Sequence, residues 1–343
     1  MIDFRYHVIS IVAVFLALAT GLVLGASLLN TQLIETQNAQ NESLINDKNA
    51  LRDELDALQQ EQDSLEQFIT ASGPLIVRDL LVGQRVVIVA LPGAEEGAGQ
   101  DIVDGITADA LNAGAVEVVG TVSITDQWTD PGEVDVLDGL TAQLTQEGID
   151  LPEGTAYDRA AVLLASALVG PQSGSGAEEQ PPTTPTTPPD DTLDPAEGLN
   201  QQEISTILEG LSAGGFIAYD SAPTGLADVA IVVSPPAPEA VDDTTDTVNA
   251  AWIRLAVALD DIGSGGVVTG PSTAAETGGV IEALRADAAA ADVVSSVDSA
   301  EADPGQIATV VALAAELTGQ TGHYGQVGDV DGPIPVLTGA EAG

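Results

Sequence analysis

The sequence predicts an α/β protein with three parts: a single N-terminal transmembrane helix, a long coiled-coil helix, and a doubly wound, largely parallel-sheet domain split by a Pro/Thr-rich linker. Three observations predict it. No charged side chain occurs from Val8 to Ile34. Leucines then recur at every seventh position. Beyond residue 72, short Val- and Ala-rich runs alternate with helical patterns, the order expected of strands joined by crossover helices.

The apolar run Val8–Leu29 is 22 residues long. As a helix it measures about 33 Å, enough for a hydrocarbon core of about 30 Å. Ala17-Leu18-Ala19 imitates a signal-peptidase site, but the apolar run continues to Leu29, which favours an uncleaved signal anchor. Arg5, His7 and the terminal amine precede the span, and Lys48 is the first cation after it. The positive-inside bias therefore puts residues 1–7 in the cytoplasm as a short head and the bulk of the chain outside, a single-pass protein of the cell membrane. Ala13, Ala17, Gly21 and Gly25 fall at every fourth position, and Gly21/Gly25 form a GxxxG pair. Such a face lets two helix backbones approach closely.

Residues 30–72 form the stalk. Leu44, Leu51, Leu58 and Leu65 occupy d positions, and Ile34, Asn41, Lys48, Leu55, Gln62 and Ile69 then fall at a. Ile34, Leu44, Leu51, Leu55, Leu58, Leu65 and Ile69 make the predicted apolar core of a parallel, two-stranded coiled coil. A lone helix would leave this stripe in water, so the expected partners are a second copy or a partner protein's helix. Thr31 to Thr70 would span about 60 Å as a helix. Ser72-Gly73-Pro74 is the predicted stop.

Residues 73–343 are the predicted extracytoplasmic domain. Arg85–Leu91 reads as a strand buried on both faces, followed by a helix near Asp101–Leu111 and a strand at Val116–Val122. Helices follow near Glu133–Leu144 and Tyr157–Val169. Residues 170–200, rich in Pro, Thr and Ser, read as a disordered linker. The pattern then resumes: a helix near Gln201–Leu211, strands at Phe216–Tyr219 and Val229–Val233, and a helix near Val248–Leu259. Gly266–Thr269 is a strand, Thr273–Arg285 a helix, Asp292–Ser295 a strand, and Gln306–Leu317 the last helix. Two strands before the linker are too few for a sheet of their own, so the two halves are expected to share one.

Charge limits the function. The formal net charge is -45, and beyond residue 72 there are 43 acidic side chains against 5 basic ones. Nucleic-acid binding is excluded, because basic contacts supply its affinity. With no Cys, disulfides, thiolate nucleophiles and thiolate metal sites are excluded as well. Gly93-Ala-Glu-Glu-Gly97-Ala-Gly99 follows a strand and precedes a helix, where dinucleotide loops sit. Its spacing is wrong and its glutamates oppose phosphate, so it reads as a tight turn. The only histidines are His7 and His323, and no GxSxG elbow is present. Pairs such as Asp242/Asp243 and Asp260/Asp261 are adjacent and do not face each other on a helix. No enzyme, catalytic residue or cofactor is expected, and no metal-ligand set can be named.

The opening MIDFRYHVISIVAVFLALATGLVLG resembles the start of the actinobacterial copper-transport MctB family. The order of anchor, heptad stalk and Val/Ala-rich domain follows the family, as does the tail, where Thr321-Gly-His-Tyr-Gly325 precedes Pro333-Ile-Pro335. The resemblance implies a non-enzymatic envelope protein in copper efflux or homeostasis, acting with other components. The founding member of the family is described as an outer-membrane channel. The family is also similar to SteB, the membrane partner of SteA, which implies as the alternative a coiled-coil scaffold recruiting envelope or division proteins. Cu(I) prefers thiolate and thioether ligands, then imidazole. This chain offers Met1 and, beyond the head, His323.

Overall fold

Helix α1 runs without a break from Phe4 to Ile76, 73 residues. The structure is a computed structural model and describes residues 4–95, 97–170 and 199–337. Two compact units are distinguished, Met1–Gln67 and Phe68–Gly343, and α1 contributes to both.

In the first unit, Tyr6–Gly25 is apolar and long enough to cross a membrane, with mean hydropathy 2.6 and none of its residues buried. It overlaps the predicted span, and a single apolar helix of this kind fits a membrane-anchored chain. Leu44, Leu51, Leu55, Leu58 and Leu65 are all solvent-exposed on the following part of α1. The side chain of Ile34 lies outside the described residues.

In the second unit, α1 passes the predicted stop at Ser72-Gly73-Pro74 and ends at Ile76. Pro74 sits in the last turn and removes one bond of the helical ladder, and the helix ends two residues beyond it. Gly73 is not a cap. A Cβ there would lie 2.8 Å from Ile307 Cδ1, so the glycine lets a later helix approach.

Seven strands form one sheet: β1 (Arg85–Ala90), β2 (Glu117–Ile124), β3 (Ile217–Ala218), β4 (Val229–Val233), β5 (Gly266–Thr269), β6 (Ser295–Val297) and β7 (His323–Tyr324). Their order is β3-β2-β1-β4-β5-β6-β7. All pairs are parallel except β2 with β3. The helices are α2 (Ala98–Asn112), α3 (Val134–Leu144), α4 (Ala156–Leu168), α5 (Gln201–Ala213), α6 (Thr245–Ile262), α7 (Val280–Ala286), α8 (Ala288–Ala291) and α9 (Asp303–Glu316).

The apolar runs in β1 and β4 are continuous because both faces of the sheet are covered. Val87, Val89, Ala230 and Val232 join one core cluster with residues of α3 to α7. Val86, Ile88, Val229, Ile231 and Val233 join another with the end of α1, α2 and α9. Each fully buried Val, Leu or Ile contributes about 1.5–3 kcal/mol.

One sheet draws on both halves of the chain, as expected: β1 pairs with β4, and β2 with β3. Residues 171–198, most of the predicted linker, lie outside the described residues. The chain is fastened at both ends of that segment. Gly170 N–H donates to Ala227 O at 3.0 Å, and Asn200 with Glu203 forms a capping box at the start of α5.

Three local expectations shift. The helix expected over Thr273–Arg285 is a short 3-10 turn, Ser272–Ala275, followed by α7. Gly278, at φ 86, breaks it. The strand expected at Asp292–Ser295 lies three residues on, because Ala288–Ala291 winds into α8 and Ser295 N–H is held by the Glu316 carboxylate at 2.9 Å. Strand β7 was not expected, since two residues carry no readable period.

Candidate functional site

The segment after β6 is built around one buried ion pair. Asp298 is fully buried, and its carboxylate accepts from Arg285 Nη1 at 3.0 Å. It also accepts from Ser299 Oγ at 2.6 Å, Gln326 N at 2.7 Å and Val327 N at 3.2 Å, so both oxygens are used. Arg285 donates further to Ser296 Oγ, Val327 O and Tyr324 O. Burial lowers the Arg285 pKa, and Asp298 opposes that shift. One arginine from α7 thus fixes β6, β7 and the loop beyond β7.

His323 stands beside this pair. Its Nδ1 lies 3.0 Å from Ser296 Oγ, and the ring also bonds the Ala291 backbone. Burial, and then the Arg285 charge, lower its pKa. A surface cavity of about 610 Å³ opens here, lined among others by Glu282, Arg285, Asp292, His323, Asp329 and Asp331. Four carboxylates against one guanidinium disfavour an anionic ligand. Among the described residues no group of three or more His, Asp or Glu side chains is placed to hold a metal ion.

A second polar cluster lies at the amino ends of β5 and β6. Glu316 accepts from Ser295 N and from Thr321 Oγ1, and burial pushes its pKa up to about 7, with the Asp260 charge adding to the shift. Burial likewise pushes Asp260 up to about 6, partly offset by a Gly266 N–H. Close approach is possible because Gly265 and Gly266 lack side chains: Cβ atoms there would meet Glu316 Cβ at 3.0 Å and Asp260 Cβ at 3.2 Å.

The strand order reverses between β1 and β4, and the crevice beyond their carboxyl ends is where nucleotide folds take phosphate. Here the loop after β1 is a turn, as expected. Gly93 and Gly97 adopt positive φ, and a Cβ on Gly93 would lie 3.5 Å from Pro235. Glu95 is tied to Ser123 Oγ at 2.5 Å. The turn presents a carboxylate where phosphate binding needs a cation.

The residues predicted from the sequence all lie on α1, away from these clusters in the chain. Ala13, Ala17, Gly21 and Gly25 share one stripe of the apolar segment, and nothing lies within 4 Å of a Cβ built on Gly21 or Gly25. Leu44 to Leu65 keep their heptad spacing on an exposed helix. Ile69 behaves differently: it is half-buried and packs on the second core cluster, to which Val77 and Ile307 belong. Arg285, Asp298 and Glu316 were not anticipated, and Asp260, read from the sequence as half of a solvated acidic pair, is instead partly buried. Arg285 carried a weak signal, as one of 5 cations in a strongly acidic stretch.

Comparison with known proteins gives a consistent result. The family described as "Copper transport outer membrane protein, MctB" matches residues 1–335. The protein named Copper transporter MctB from Mycobacterium bovis is 30% identical over 335 residues, covering 95% of this chain and 96% of that protein. The like-named proteins of Mycobacterium tuberculosis and Mycobacterium leprae are also 30% identical, the latter over 336 residues.

Proposed function

This chain belongs to the MctB family, and on that footing we propose that it serves copper efflux or homeostasis as a membrane-anchored envelope protein working with other components. The observation that carries the reading is the family match along residues 1–335, joined to one apolar anchor helix and an exposed leucine stripe. Its relatives are named transporters, not enzymes.

The division of labour follows from the residues. One helix encloses no pathway by itself, so a route for copper needs further copies or other proteins. Cu(I) selects sulfur and then imidazole, and the one imidazole of the domain is half-buried with its Nδ1 held against Ser296 Oγ. The chain therefore acts by holding and recruiting rather than by sequestering the ion. In this reading residues 1–7 lie in the cytoplasm and the domain lies outside, the small-residue face Ala13/Ala17/Gly21/Gly25 packs helix on helix in the membrane, and the stalk stripe takes an α-helical partner.

A deletion strain tests the proposal. Copper hypersensitivity, restored by the full chain, is the expected result. Unchanged copper tolerance with disturbed septation would replace it with a scaffold serving cell division. The purified full chain should bind Cu(I) no more tightly than the same chain carrying His323→Gln.

A further inference from the structure

We infer that the helix covering the stalk is a second copy of this chain, parallel and in register, and that it covers Leu44 to Leu65 but not Ile69. This rests on the reading that the stripe takes a helical partner, and it names that partner.

The exposed stripe is sharply bounded. Leu44, Leu51, Leu55, Leu58 and Leu65 are exposed by 65%, 61%, 58%, 55% and 57%. At the next a position, Ile69 is half-buried against the chain's own domain, and Gly73 then leaves room for Ile307. The surface in need of a partner therefore ends at Leu65.

Charge selects the partner and its register. The stalk holds only two cations, Lys48 and Arg52, and neither forms an ion pair among the described residues. In the heptad register Asp47 is g, Lys48 is a and Arg52 is e. In a parallel pair, a g residue faces the e residue five positions later on the other strand and flanks the adjacent a residue. Asp47 of each copy then meets both Lys48 and Arg52 of the other. By symmetry both otherwise unpaired cations of each strand are satisfied. The same register sets Asn41 against Asn41 at an a layer, a pairing that fixes register and strand number. A single anchor at the same end of each copy makes the strands run in one direction. One layer opposes pairing: Glu61 at g faces Glu66 at e, so the pair gains nothing there.

The chain has no cysteine, so any introduced thiol is the only one present. The full-length protein in native membranes would carry Leu51→Cys, Leu58→Cys, Ile69→Cys or the outward-facing Gln60→Cys, under mild oxidation. Disulfide-linked dimers are expected at 51 and 58 and not at 60 or 69. Asp47→Lys in the Leu51→Cys background should cut the dimer yield about tenfold at low salt, since it sets like charges together at both ends of the layer. Adding Lys48→Asp and Arg52→Asp should restore the yield. Equal dimer at 60, or failure of the charge swap to restore it, overturns the inference. Cross-linking at 58 only to a different polypeptide also overturns it, while sparing the helical-partner reading. Thiols at 51 and 58 that form no cross-link and alkylate as fast as the one at 60 sink both.

Discussion

Glu316→Gln should flatten the pH dependence of folding between pH 5 and 8. The Glu316 carboxyl sits at about 7 against an ordinary 4.5, chiefly because burial penalises its charge. A raised acid holds its proton more tightly in the folded state. Its stabilising contribution is complete below about pH 4.5 and is lost as pH rises through about 7. At 1.36 kcal/mol per pKa unit this amounts to roughly 3 kcal/mol. Asp260, raised to about 6 from 3.8, adds a loss of similar order at slightly lower pH. The two repel each other, so their sum is less than additive. The amide in Glu316→Gln still accepts from Ser295 N and can donate to Thr321 Oγ1, so the geometry survives while the titration disappears. At pH 8 the variant should be about 2–3 kcal/mol more stable than wild type, a rise of about 5–10 °C in Tm for a domain of this size. At pH 5 the two should agree closely. His323 works in the opposite sense: its lowered pKa gives a contribution present above pH 6.5 and lost as pH falls through the folded value, but it is common to both proteins. Trp128 and Trp252 are both buried and report unfolding by fluorescence in the full chain. A wild-type stability that rises from pH 5 to 8, or a variant with the wild-type slope, would refute the reasoning.

Arg285→Met should destabilise the second unit by about 3–5 kcal/mol in denaturant titration, because it leaves Asp298 buried without its cation and frees two carbonyls. Adding Asp298→Asn should recover part of that loss, as a double-mutant cycle would read. Gly73→Val should cost about 1–3 kcal/mol through the clash with Ile307, and Ile307→Ala should relieve it. In the anchor, Gly21→Ile with Gly25→Ile should weaken helix association in a membrane reporter assay while leaving the unfolding of the second unit unchanged.

The apolar N-terminal helix and the core strands were legible because each is a pattern held within one segment. Val8 to Leu29 has the length and composition of a membrane helix wherever it is placed. Val229–Val233 reads as a strand buried on both faces, and β4 occupies those residues. Boundaries failed where a distant group decided them. Ser295 starts β6 because Glu316, 21 positions later, holds its N–H. Pro74 reads locally as a stop, yet α1 runs two residues past it to Ile76, beside a glycine that leaves room for Ile307.

The sequence by itself determined the class of the protein: one apolar helix, a seven-residue leucine repeat, a strongly acidic composition, and a largely parallel α/β sheet. Its opening residues also carried the family. Tertiary structure alone decided which polar residues matter. Arg285 finds Asp298, and Glu316 is brought beside Asp260, only when the sheet is assembled. Tertiary structure also decided where the heptad repeat meets the folded domain. Ile69 follows the same repeat as Leu55, but it is half-buried against the folded domain while Leu55 is exposed. A heptad pattern records which residues avoid water, and only the packed structure records what excludes the water from each of them.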